Sequence, residues 1–107
     1  MATSFTNAVA ANIGATEQVV YTTPVATKAI LIGCNIANKT NSELPVSLIL
    51  RKLSGDVYLV KNQRVGPGEK DEIMRGNKLV MAAGDSILGI TAIANGFDVI
   101  VSVLEGV

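Results

Sequence analysis

Apolar residues recur along this chain with a period of two, in short runs that turn-forming residues cut roughly every eight to twelve positions. Successive side chains of a strand point to opposite faces, so this pattern predicts half-buried β-strands. The first, Glu17 to Thr22, is stopped near Pro24, which cannot donate to a ladder. The second runs from Lys28 to Asn38, with Ile30, Ile32, Cys34 and Ile36 expected on one face. The third, Leu44 to Leu53, places Val46, Leu48 and Leu50 inward and Ser47 and Arg51 outward. A tight turn at Ser54-Gly55-Asp56 leads into Val57 to Lys61, so these two strands form a hairpin. Val65-Gly66-Pro67-Gly68-Glu69 is a surface turn. Two short strands follow, within Lys70 to Arg75 and Lys78 to Met81.

The stretch from Ala83 to Glu105 reads as one β-hairpin about Asn95-Gly96, a pair that tolerates the positive φ of a type I′ turn. Phe97, Val99, Val101 and Val103 share its inner face. Asp98 and Ser102 mark the other face, which also carries Ile100 and Leu104. A strand apolar on both sides is either central in a sheet or turned toward another subunit. Residues 1–16 are poorer in apolar positions, with Phe5, Val9 and Ile13 spaced through Ala, Asn and Thr. They are expected to be an extended arm, mobile until a neighbour holds it. The expected organisation is an arm over 1–16 and a domain over 17–107. Its fold is an all-β antiparallel sandwich, jelly-roll-like, of about eight strands with at most one helical turn.

Composition agrees with one domain. The chain has 107 residues, 49% hydrophobic and 17% charged, too apolar for disorder and too interrupted for a membrane span. Nine basic and nine acidic residues cancel, which removes the basic excess that nucleic-acid binding needs. A chain without net charge is also poorly protected against self-association. Residues 1–15 hold neither a basic stretch nor an apolar block, so no secretory signal is expected. Cys34 is the single cysteine, expected as a buried thiol in a reducing cytosol.

Candidate chemistry is sparse. The chain has no histidine, which removes the commonest general base and metal ligand along with Ser-His-Asp and Cys-His nucleophile systems. One cysteine cannot build a zinc site, and no phosphate-binding glycine motif occurs. No catalytic, cofactor-binding or metal residues are assigned, and no cofactor or enzymatic activity is expected. Glu69, Asp71 and Glu72 gather near a glycine turn as a calcium site would, but Lys70 interrupts them, and a solvated turn is preferred. Arg51, Lys52, Lys61 and Arg64 form a small basic edge, read as protection of an edge strand rather than a phosphate contact. Phe5, Tyr21, Tyr58 and Phe97 are too scattered for a stacking platform or a sugar-binding face.

The order of pieces resembles that of small virion structural proteins of tailed bacteriophages. The resemblance rests on Val20 to Pro24, Lys28 to Asn38, Val46 to Leu50, Tyr58 to Lys61, Val65 to Glu69, Ala83 to Ile87 and Asp98 to Glu105. It spans roughly residues 18–105 and implies a non-enzymatic capsid decoration or cement protein, made in the host cytoplasm and placed on the capsid surface. Its implied partners are the major capsid protein and further copies of itself, a trimer preferred over a dimer. A neck or tail-appendage protein, or a small receptor- or carbohydrate-binding β-domain, are the alternatives. The subunit contacts are expected at Phe5, Val9, Ile13, Ile100 and Leu104, with neither nucleic acid nor membrane as partner.

Overall fold

A computed structural model describes residues 3–106. Met1 and Ala2 of the expected arm, and Val107 of the expected domain, lie outside that range. The strands are β1 (Ser4–Ile13), β2 (Gln18–Thr22), β3 (Ala29–Asn38), β4 (Leu44–Lys52), β5 (Gly55–Val65), β6 (Lys70–Glu72), β7 (Leu79–Met81), β8 (Ser86–Ile90) and β9 (Phe97–Glu105). Among the described residues no helix forms.

Two antiparallel sheets result. Sheet A has the order β1-β9-β3, with β6 and β7 both pairing along the far side of β3; sheet B has the order β2-β8-β4-β5. Taken as one interrupted strand, β6 and β7 complete the two four-stranded layers of a jelly roll. The expected all-β sandwich is the fold observed. Its core fills the space between the sheets. Leu31, Cys34, Ile36, Phe97, Val99, Val101 and Val103 enter from sheet A; Val46, Leu48, Leu50 and Ile87 enter from sheet B.

The hairpin expected over 83–105 does not form. β8 pairs with β2 and β4, whereas β9 pairs with β1 and β3, so Asn95-Gly96 carries the chain from one sheet to the other. Asn95 does adopt a positive φ of 55°. The Gly96 N–H, however, donates to the Ile13 carbonyl at 2.8 Å, not across a hairpin. A Cβ on Gly96 would stand 2.6 Å from Thr91 Cγ2, so only glycine fits the crossing. The turn chemistry was legible, but local sequence does not say which strand lies next to which. β8 and β9 meet face to face through the core: a Cβ on Gly89 would lie 3.2 Å from Phe97 Cζ.

A second correction concerns β3. The register between β3 and β9 shifts between Leu31 and Gly33. This bulge reverses the alternation, so Ala29 and Leu31 point inward before it and Cys34 and Ile36 after it, while Ile30 is left on the outer side. The Cys34 N–H donates to Glu72 Oε2 at 2.9 Å, and the Cys34 carbonyl accepts from the Ile73 N–H at 2.7 Å. The segment between β6 and β7 thus covers the stretch of β3 that the bulge disturbs.

The third correction is the arm. Residues 4–13 are extended, as expected, but they pair with β9 from Ser4↔Glu105 to Ala10↔Val99, and again at Ile13↔Phe97. Ile13 is fully buried and Ala10 nearly so. Pairing with an otherwise open edge of β9 satisfies a row of backbone groups and so offsets the ordering entropy. The segment is therefore a strand of the sandwich. Removing residues 2–14 is expected to unfold the domain, read as loss of the β-sheet circular dichroism signal. Ile13→Ala should cost about 2–5 kcal/mol in denaturant unfolding, as other core truncations of this size do, and Phe5→Ala well under 1.

Candidate interaction surface

The outer face of sheet A carries apolar side chains in register. Phe5 lies opposite Leu104, Leu104 opposite Ile30, and Ile30 opposite Val80. One row thus crosses all four strands from β1 to β7. Its ends are the most open: Phe5 is 76% and Val80 66% exposed. A second row begins with Val9, 67% exposed, opposite Ile100, 42% exposed, and continues to Asn35 and Glu72. Between them Asn7, Ser102 and Gly33 form a small polar band. Directly opposed side chains on one face contribute roughly 0.2–1 kcal/mol each, so the rows help hold the sheet. These pairings still leave two exposed apolar rows on one face, parted by that band, and exposed apolar surface of this kind marks an interaction surface. A groove of about 490 Å³ runs beside the second row, with Val9, Asn35, Lys70, Asp98 and Ile100 among its walls.

Four of the five residues expected at subunit contacts therefore share this face: Phe5, Val9, Ile100 and Leu104. Ile13 does not, being in the core beside Phe97. Ile30 and Val80 belong to the same face but were missed. Simple alternation puts Ile30 on the inner face because the β3 bulge leaves no mark in it, and Val80 sits in a strand too short to show one. The outer face of sheet B is different. Its central Ile49 and Leu88 are buried, between the more open Val19 and Tyr58 of the same cross-strand row.

The side chains of the basic edge are engaged locally, three of them in ion pairs. Arg51 donates from Nε and a terminal nitrogen to both Asp56 carboxylate oxygens, each at 2.8 Å, and also reaches Glu17 at 2.8 Å. Lys52 bonds Asp85 at 2.6 Å, Arg64 bonds Glu43 at 2.8 Å, and the Lys61 ammonium lies 5.1 Å from the Tyr58 ring centre. The acidic trio is likewise engaged locally. Glu69 accepts from the Gly66 N–H, Glu72 from those of Cys34 and Arg75, and Asp71 is 3.5 Å from Arg75. Among the described residues no group of three or more candidate ligands converges on a metal position.

Several buried polar groups hold the loops that frame the sandwich. Asn38 Nδ2 is shared among the carbonyls of Ser42, Val65 and Gly66, and its Oδ1 accepts from Thr40. Asp85 Oδ2 accepts from Lys52 and from the Ala82 N–H, while the Asp85 carbonyl accepts from the Thr23 N–H. Burial pushes the Asp85 carboxyl up, but Lys52 and the Ala82 N–H outweigh it and hold the group below the ordinary range. Burial, with the nearby Glu72 carboxylate, raises the Cys34 thiol to about 12. These hubs have no periodic signature. Asn38 and Asp85 look like ordinary turn residues until the fold encloses them.

No protein-family model matches this sequence, and no curated protein does. A solved structure from work describing Bacillus endospore appendages as a novel family of disulfide-linked pili is similar in fold. It aligns with a TM-score of 0.58 over 98% of this chain and 86% of that one, at 12% identity. At that identity the likeness is one of architecture.

Two measurements check the polar framework. Because the folded Asp85 pKa is depressed, its stabilisation is present above the unfolded pKa of about 4 and fades as pH falls through the folded value. Asp85→Ala is expected to cost about 1–3 kcal/mol at pH 7 in urea unfolding, with the gap from wild type narrowing below pH 4. Cys34, buried and protonated, should resist a thiol-alkylating reagent at pH 8 until denaturant unfolds the chain. Fast labelling of the native protein would contradict its placement.

Proposed function

We propose that this chain is a non-enzymatic structural subunit that works by packing against other proteins through the outer face of sheet A. The carrying observation is the pair of in-register apolar rows, Phe5-Leu104-Ile30-Val80 and Val9-Ile100, on a chain without net charge. Fully burying one such side chain is worth roughly 1.5–3 kcal/mol, enough for a few of them to drive association. In the finer form of this reading the chain is a capsid decoration protein of a tailed bacteriophage. It sits on the capsid surface against the major capsid protein, and a trimer matches the local threefold positions of an icosahedral shell. The jelly-roll layers suit that role, and the Val65 to Glu69 turn, whose Pro67, Gly68 and Glu69 are exposed, is available for the shell.

The likeness to an appendage protein favours a second reading, a subunit of an extended fibre. Cys34 weighs against a fibre held by disulfides, since it is the chain's single cysteine and is fully buried. Light scattering on the purified chain tests the shared core of both readings. Wild type should self-associate, as a closed oligomer in the first reading and as filaments in the second, and Ile100→Glu and Leu104→Glu should be folded but lose the contact made by this face, because a buried unpaired charge is heavily penalised. A monomeric wild type, or an unchanged oligomer in both variants, would refute it. Finding the chain at near-capsid copy number in purified particles would select the virion reading; finding it in filaments would select the other.

A further inference from the structure

The four edges of the two sheets are not equally defended. β5 carries Asp56, Lys61 and Arg64, its register with β4 shifts twice, and Asn62 has a φ of 53°. β2 is five residues long, with a register shift after Val19 and Pro24 just beyond its end. β6 and β7 are three residues each, and β6 reads Lys-Asp-Glu. Charges, irregularities and shortness are the means by which proteins keep sheet edges from pairing with other chains. β1 has less of this: its irregularity, the register shift after Ala10 with Asn12 at a φ of 61°, is confined to its last residues. It is ten residues long, has no charged residue, and keeps an unbroken register with β9 from Ser4 to Ala10.

That regular segment is also self-complementary. Its midpoint is Asn7, and Phe5 and Val9, both exposed on the outer face, lie two residues to either side of it. We propose that β1 pairs antiparallel with β1 of a second copy of this chain, about a twofold axis through Asn7, joining the two A sheets edge to edge. In this register Asn7 meets Asn7 of the partner subunit, and Phe5 meets Val9 of the partner subunit. The partner's Phe5 then lies on the same face as Val9 and Ile100, at the wall of the 490 Å³ groove that these two residues help form. An isologous contact of this kind brings the knob and the groove of a single sequence together twice. It shares Phe5, Val9 and Ile100 with the face-on packing proposed above and goes beyond it by adding a backbone contact at the sheet edge. A twofold edge contact makes the isolated protein a dimer, or doubles whatever oligomer the face makes.

Disulfide trapping in the full chain tests the register. Residues directly opposite in an antiparallel pair have Cα atoms about 4.5–5.5 Å apart, within disulfide range. Asn7→Cys should therefore form covalent dimers under mild oxidation, Cys34 being buried and unable to compete. Ser4→Cys should not, since six residues of strand rise place the two copies roughly 20 Å apart. Thr6→Lys puts a charge on the edge without altering the outer face. It should halve the mass seen by light scattering while leaving the circular dichroism spectrum unchanged. If Asn7→Cys cross-links no faster than Ser4→Cys, the pairing is wrong, and this holds even should Thr6→Lys fail to fold. An unchanged mass in a folded Thr6→Lys would equally overturn it. Dissociation by Leu104→Glu with no Asn7→Cys cross-link would leave the face contact standing and remove only the edge contact.

Discussion

Phe97 sets the spacing of the two sheets. It is the largest fully buried side chain, entering from β9 against Gly89 of β8, a position where a Cβ would have 3.2 Å to the ring and 3.4 Å to both Ile13 and Leu48. A ring facing a missing side chain is a close fit of large against small, and protein interiors are packed at that density throughout. Much else follows from it. β8 and β9 must oppose one another, so their connection has to change sheets. Ile13 must come close enough to touch the same site, so β1 is drawn into the sandwich. Even the tight crossing at Gly96 is fixed by Ile13, whose carbonyl takes the Gly96 N–H.

The sequence showed the strands better than their neighbours. The third and fourth strands formed the hairpin their turn announced, and the inward positions Val46, Leu48 and Leu50 were correct, because alternation and a tight turn are local signals. The pairing of β8 and β9 was not local. Asn95-Gly96 has the conformational freedom a hairpin needs, but a turn that permits a hairpin does not require one. Only the competition among all strands for partners decides that. The bulge in β3 is a similar case. One extra residue inverts the meaning of every apolar position before it, and nothing in Ile30-Leu31-Ile32-Gly33 marks which residue is extra.

The candidate surface was read from β9 with more success. Ile100 and Leu104 alternate against a face of four strictly inward residues, so their outward direction was legible. Phe5 and Val9 were singled out as apolar exceptions in a polar segment. Ile13 continued the same spacing but serves the core, since the register with β9 breaks between Ala10 and Ile13 and lets the chain turn inward. What joins these residues into one face is the cross-strand register, a property of the assembled sheet that no segment carries alone.

The interruption of the strand opposite β1 has a consequence for growth. Between β6 and β7 the chain leaves the far side of β3 and folds over the bulge, so that flank of sheet A offers only two three-residue pieces. A sheet with one receptive flank and one blunted flank behaves like a monofunctional monomer: it joins once and stops. Addition at β1 consumes the sole reactive end of each copy, and the joined product presents blunted flanks on both sides. Such a chain can associate by its backbone without ever polymerising through it, which is how an uncharged, regular strand can be kept at a protein's edge without becoming a seed for fibrils.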